Sequence, residues 1–412
     1  MSDMAEKLKE YCTVISGYAF KSKDLSEGTD IPVIKIGNIS NGKNVVIDDS
    51  TQYVNEEFLS VDEKYHIKNG DILISLTGSH MNQPNSMVGR CCRNLDDTIY
   101  LLNQRAGKII PNKSVDKDFL YYVFRLPSIQ YAIANRAYGG ANQVNVSPKD
   151  VMGIKFDIPD ITIQKKIADV LNAYDSLIQN NNKRIHLLEQ MAENLYKEWF
   201  VRFRFPEYED VEFEDGMPKG WVREKIGIHY NTCSGGTPSR THEEYYADGT
   251  IPWVKTGEIK DNIIIHTDEC ITEEGIKGSS AKLLPQGAVV MAMYGVNIGM
   301  LAYLDSEMTC NQACCVFSDK NEIISRHYLF HYLYSIRDYL LLIGFGAAQQ
   351  NLSQDLIKKV KIVIPSTELI KKFDEQKEPL YQTIRALMMQ NDKLIKQRDM
   401  LLPRLMSGKL EV

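Results

Sequence analysis

Ile31-Pro32-Val33-Ile34-Lys35-Ile36-Gly37-Asn38-Ile39 returns later in the chain as Ile251-Pro252-Trp253-Val254-Lys255-Thr256-Gly257-Glu258-Ile259. Other landmarks recur around it in the same order: Ser16-Gly17 with Ser234-Gly235, Gly70 and Gly78 with Gly287 and Gly295, Asn103-Gln104 with Asn311-Gln312, and Ile158-Pro159 with Ile364-Pro365. The separation drifts slowly, as differences in loop length would make it. An ordered duplication of this kind fixes architecture before any single motif is read. It predicts two homologous units, each a globular part followed by a long helix.

The bulk numbers agree. A chain of 412 residues exceeds the size at which one hydrophobic core keeps growing. With 43% hydrophobic and 25% charged residues, the composition is that of an ordinary folded protein. The N-terminal Met1 to Lys7 lacks the apolar core of a signal peptide. The most apolar stretch, 288–304, is broken by Gly295, Asn297 and Gly299 and falls short of a membrane span. A cytoplasmic protein with no membrane partner is therefore expected. The eight cysteines, including the adjacent pairs Cys91-Cys92 and Cys314-Cys315, form no disulfide or zinc pattern and read as reduced, mostly buried thiols. A net charge of −6 is unusual for a dedicated DNA binder, but Glu207, Glu209, Asp210, Glu212, Glu214 and Asp215 concentrate acidity in one linker-like run.

Each globular part mixes short strands with helices. Residues 31–36, 71–76, 251–255 and 288–293 have strand length and composition. Phe119, Tyr122, Val123 and Leu126 recur at helical spacing, as do Tyr328, Leu329, Tyr332 and Leu333. The fold class is α+β. After each Ile-Pro a near-heptad seam begins. The first runs through Ile163, Ile167, Val170, Tyr174, Leu177, Asn181, Ile185, Leu188, Met191 or Ala192, and Leu195. The second runs through Phe373, Leu380, Ile384, Leu387, Asn391, Leu394, Arg398, Leu401 and Leu405. Two matching seams most simply pack as a two-helix coiled coil, and pseudosymmetry favours the antiparallel form. About 35 helical residues would span roughly 50 Å, with Asn181 and Asn391 as register-setting polar contacts. Pro379 is expected to kink or restart the second helix. The domains are expected at 1–158, 159–202 (first spacer helix), 203–364 (with an acidic linker at 206–216) and 365–412 (second spacer helix).

Short motifs that suggest enzymes fail on inspection. Gly37 to Asn44 imitates a phosphate-binding loop, but Asn44 stands where the magnesium-binding Ser or Thr belongs and Val45-Val46-Ile47 does not open a helix. His327 and His331 have the spacing of a zinc pair, but Tyr328 replaces the metalloprotease glutamate, and two helix-surface histidines are expected instead. Cys310, Cys314 and Cys315 lack partners for a four-ligand site. No catalytic residue, bound cofactor or metal site is expected on this chain.

Ser234-Gly235-Gly236-Thr237-Pro238-Ser239-Arg240, followed by Gly249 to Ile259, resembles the opening of a target-recognition domain in the specificity subunits of Type I restriction-modification enzymes. Ser16 to Ser22 followed by Ile31 to Ile39 is similar to the other common variant of that opening. Gly70 to Gly78, the Asn-Gln pairs, and Gly346 to Ser353 extend the resemblance over essentially the whole chain. It implies two pseudo-symmetric target-recognition domains held apart by two helices, each reading one half of a bipartite, asymmetric DNA site. It also implies two methyltransferase subunits that bring S-adenosylmethionine, and a translocating nuclease subunit that uses ATP and Mg2+ and can join. The competing reading is a freestanding architectural or regulatory DNA-binding protein on the same scaffold.

Base edges are read by polar side chains on exposed loops. The candidate DNA-binding residues in the first head are Lys21, Ser22, Lys35, Asn38, Ser79, His80, Asn82, Gln83 and Arg90. Those in the second are Thr237, Ser239, Arg240, Lys255, Thr256, Glu258, Tyr294 and Asn297. Gln349, Gln350 and Asn351 are expected to brace the helix entry. Given its acidity, the isolated chain is expected to bind DNA weakly, with partner subunits neutralising much of the phosphate charge.

Overall fold

A computed structural model describes residues 6–26, 30–39, 42, 44–81, 83, 87–140, 143–320, 324–344 and 351–412. The chain forms two compact units, residues 1–178 with 393–412 and residues 179–392. Both are α+β.

In the first unit an antiparallel sheet runs in the order Cys12–Ser16, Ala106–Pro111, Ile72–Ser75, Cys91–Arg93. A second sheet runs Gln52–Val54, Ile31–Ile34, Tyr100–Leu102, His66–Ile67, and its central pair is parallel. The other unit repeats both arrangements. Tyr230–Cys233, Cys314–Asp319, Val289–Ala292 and Leu301–Leu304 correspond to the first sheet, extended by Asn262–Ile264. Cys270–Ile271, Ile251–Val254 and Thr309–Cys310 correspond to the second, again with a parallel pair. The duplication therefore extends to strand order and direction.

One repeated glycine shows why the landmarks recur. A Cβ on Gly17 would lie 2.3 Å from the Leu102 carbonyl oxygen, and one on Gly235 would lie 1.7 Å from that of Cys310. At these crossings the backbones touch, and only hydrogen fits.

A helix closes each sheet. Lys117–Arg125 is capped by Asp116, whose side chain accepts from the Phe119 amide at 2.9 Å. Arg326–Ser335 is capped in the same way by Ser325, from the Tyr328 amide at 3.1 Å. Both bury apolar, largely aromatic faces, Phe119, Tyr122 and Phe124 in one unit and Tyr328, Phe330 and Leu333 in the other. The thiols of Cys12, Cys91, Cys92, Cys310, Cys314 and Cys315 are buried and free, and those of Cys233 and Cys270 are free and half-buried.

The long helices span Ile161–Tyr196 and Thr367–Met406. Asp160 starts the first by accepting from the Thr162 amide at 2.9 Å, and Ser366 starts the second from the Leu369 amide at 3.2 Å. Within the first unit Asp175 meets Arg398 and Lys166 meets the terminal Val412, so the helices run antiparallel. Within the second, Asn181 meets Asn391 in the same sense.

Three expectations change. Pro379 does not restart its helix, which is one unbroken element. Its ring costs the Glu375 carbonyl its amide partner, but Glu375 is exposed to water, while Phe373, Lys377, Tyr381 and Ile384 anchor the buried side. His327 and His331 are buried, not on the surface. His327 Nε2 lies 2.7 Å from Glu378 and its Nδ1 lies 3.2 Å from the Tyr303 hydroxyl, while His331 stacks on Tyr196. The first seam also shifts in part: Ile167 is buried as expected, but Ile163, Val170 and Leu177 are exposed, and Ala168 and Leu171 are buried in their place.

Candidate nucleic-acid interface

The candidates divide into residues that build the loops and residues that remain presented. In the first unit Lys21 and Ser22 are exposed at the turn Ser22–Asp24, with the Lys21 amide donating to Asp24 Oδ2 at 3.1 Å. Lys35 is half-buried and its ammonium donates to the Gln52 side-chain oxygen. Burial, and secondarily Arg105, pulls its pKa down. Asn38 is buried. Its Oδ1 accepts from the Lys35 amide at 2.9 Å, and its Nδ2 donates to the Val46 carbonyl at 2.8 Å and the Thr51 hydroxyl at 3.0 Å. Those bonds hold the loop that presents Lys35.

Ser79 is also buried and donates to the Gln83 carbonyl at 2.7 Å, closing the turn after Gly78. His80 and Arg90 are half-buried and Gln83 is exposed. Asn82 and Lys43 lie outside the described residues, as do Gln349 and Gln350.

In the second unit Asn297 is brought to the loop that carries Thr256 and Glu258. Asn297 Nδ2 donates to the Thr256 carbonyl at 3.1 Å and the Ile259 carbonyl at 2.9 Å, tying the loop after Val289–Ala292 to the loop after Ile251–Val254. Glu258 accepts from the Lys255 and Asp268 amides, each at 2.7 Å. These are bracing roles. Tyr294 is part-exposed, and beside it Val296 is 99% exposed at a tip flanked by Gly295 (φ +83°) and Gly299 (φ +79°).

A second group is Arg240, Lys255 and Glu269. Arg240 Nη2 donates to Glu269 Oε2 at 2.5 Å, and Lys255 Nζ donates to Glu269 Oε1 at 2.7 Å. The Lys255 bond, followed by Arg240, holds the Glu269 carboxyl below the usual carboxylate range. The Arg240 guanidinium lies 4.1 Å from the centre of the Tyr246 ring. Thr237 and Ser239 are exposed nearby in sequence, bonded to Gln312 and Thr241.

Gln52 and Glu269, the partners of the two repeated lysines, escaped the sequence reading. Neither lies in a repeated motif, and each is brought to its lysine only by strand pairing. Among the described residues no cluster of metal-ligating side chains is present, and no helix is long and apolar enough to cross a membrane.

Duplicated α+β units with polar loops at equivalent strand ends, each packed on part of an antiparallel helix pair, define a two-headed recognition protein. Over residues 2–190 and 218–384 the sequence matches the family described as the Type I restriction modification DNA specificity domain, and the chain belongs to that family. It is similar to the Type I restriction enzyme MjaIX specificity subunit of Methanocaldococcus jannaschii, 27% identical over 330 residues that cover 75% of this chain and 73% of the relative. It is also similar to the HindI specificity subunit of Haemophilus influenzae, 24% identical over 453 aligned positions that cover 94% of this chain and 96% of the relative. In fold it resembles the crystal structure of a Type I restriction-modification S subunit from M. genitalium, with a TM-score of 0.56 at 15% identity over 97% of this chain and 95% of that one.

Proposed function

We propose that this chain is the DNA-reading subunit of a Type I restriction-modification complex, with each head selecting one half of a bipartite, asymmetric site. The observation that carries the reading is the repetition of one scaffold with different side chains at its presented positions. Lys35 beside Gln52 in one head has as its counterpart Lys255 beside Glu269 and Arg240 in the other. A shared scaffold with unlike tips suits two unlike half-sites. The long helices set the spacing between the halves and dock partners.

The partners are two methyltransferase subunits, which bring S-adenosylmethionine for adenine methylation, and a restriction subunit that hydrolyses ATP with Mg2+. This chain contributes base selection and no catalytic group, and it works in the cytoplasm, where the host DNA is.

Mapping methyladenine across the host genome with and without this chain tests the reading. Loss of methylation at one split, asymmetric motif is expected. Methylation that is unchanged without the chain overturns it.

A further inference from the structure

The two heads can be compared position by position because their strand pairing is the same. Val33 pairs with Gln52 in the first head. In the second, the Ile251–Ile271 and Pro252–Cys270 pairs place Glu269 opposite Trp253, whose amide donates to the Glu269 carbonyl at 3.1 Å. Gln52 and Glu269 are thus structural equivalents, and each accepts from the repeated lysine, Lys35 or Lys255. Counted from the close-packed glycines Gly17 and Gly235, Ser22 occupies the place of Arg240. The carboxylate therefore appears in the head that has the arginine, and a neutral amide in the head that has a serine.

The surroundings of Arg240 hold it in one pose. Tyr246, under the guanidinium, donates its hydroxyl to the Pro238 carbonyl at 2.6 Å. Trp253, 5.5 Å from the guanidinium, donates its indole N–H to the Gly236 carbonyl at 3.0 Å. The aromatic shelf is thus fastened to the segment that carries Arg240. One nitrogen of the guanidinium is bonded to Glu269, and a guanidinium has five N–H donors in a planar fork. The side chain is 57% exposed, so the remaining donors are accessible.

A carboxylate between two cations has a clear electrostatic effect. It lowers the attraction of the cluster for phosphate, which carries like charge, while fixing the plane of the arginine fork. A fixed fork matches the two acceptors, O6 and N7, that guanine presents in the major groove.

We infer that Arg240 reads a guanine in the half-site of the second head and that Glu269 is the positioning residue that orients it, with Gln52 and Ser22 leaving the first head without this preference. The inference rests on the reading of the chain as a DNA-specificity subunit.

The test uses the full chain assembled with its methyltransferase partners, acting on a duplex library in which every position of the bipartite site is varied. A wild-type complex that shows no split motif overturns the proposed function itself. Given a motif, Arg240→Lys, which keeps the charge but loses the fork, is expected to relax one guanine of one half-site by about tenfold or more, leaving the other half unchanged. Glu269→Gln and Glu269→Asp are expected to relax the same position, with Glu269→Gln also increasing binding to unrelated duplexes at low salt. A uniform fall in methylation with the motif intact would make Arg240 a phosphate contact or a brace and overturn the inference. Relaxation by Arg240→Lys with none by either Glu269 variant would overturn the role given to Glu269.

Discussion

Asn181 donates from Nδ2 to Oδ1 of Asn391 at 2.9 Å, and Asn391 in turn donates to Asn182 Oδ1 at 2.8 Å. Both central asparagines are buried where an apolar residue would sit in an uninterrupted seam. A buried amide is tolerated only opposite another polar group, so the pair penalises any slip that would set either one against a leucine.

Replacing one partner should therefore cost more than replacing both. Asn181→Leu leaves the Asn391 amide short of a partner in a buried site, and a loss of about 1–3 kcal/mol is expected. The double change Asn181→Leu with Asn391→Leu should recover most of that loss, because an apolar pair suits the seam. Denaturant unfolding of the four-member mutant cycle measures the coupling, and additive losses would count against the pair as a unit.

Pro379 sits inside the helix Thr367–Met406 and is exposed. An interior proline forfeits one backbone hydrogen bond and costs about 3 kcal/mol relative to alanine, partly offset by the freedom it removes from the unfolded chain. Pro379→Ala should stabilise the protein by about 1–2 kcal/mol. An unchanged or lower denaturant midpoint would show that the proline is relieved by a distortion the helix needs.

Much of this architecture was legible because repetition and periodicity are local signals. The strands at Ile31–Ile34 and Ile251–Val254, the closing helices and both long helices fall where the pattern places them. What failed was the side of a helix that has two neighbours. Ile163, Val170 and Leu177 are apolar at heptad spacing and so read as seam, while the buried contacts fall to the expected Ile167 together with Ala168 and Leu171, which pack in the core of the first unit. The histidines misled similarly. His327 looks polar in sequence, and its burial is sustained by the Glu378 carboxylate from another helix and the Tyr303 hydroxyl from a strand, one at each ring nitrogen. At the interface, the lysines were visible as repeats, but the partners that distinguish them, Gln52 and Glu269, depend on strand register.

Burial pulls the His327 imidazole down to about 4, against the opposing pull of its bond to Glu378. His331 is lowered by burial too, with Lys377 nearby adding to the effect. An unfolded histidine titrates near 6.5. Below that pH the unfolded chain takes up protons that the folded one refuses, so stability should fall as the pH drops from about 6.5 toward 4. Glu378 acts in a lower window. Burial alone would raise it, but hydrogen bonds from Gln382, His327 and Arg326 hold it at about 2, so its contribution is lost as the pH falls from about 4.5 toward 2. Denaturant midpoints measured between pH 7.5 and 4.5 should decline, and His327→Gln, which can still donate to Glu378 but cannot charge, should make the decline shallower. A slope unchanged by the variant would mean that the proton is taken up elsewhere.

Ile163, Val170 and Leu177 form an apolar row at intervals of one heptad on the first unit, between 37% and 49% exposed. Successive heptad positions lie on one side of a helix, so the row is a continuous strip rather than scattered residues. An exposed strip of this kind on a helix already packed along another side suits a helical partner, and the methyltransferase subunit of the proposed complex is the candidate. Val170→Asp with Leu177→Asp should abolish co-purification of that partner, while thermal stability of the chain changes by less than about 1 kcal/mol, since surface changes cost little. Retained co-purification with a folded variant would move the docking surface elsewhere. A variant that unfolds would instead show that the strip is part of the core, contrary to its exposure.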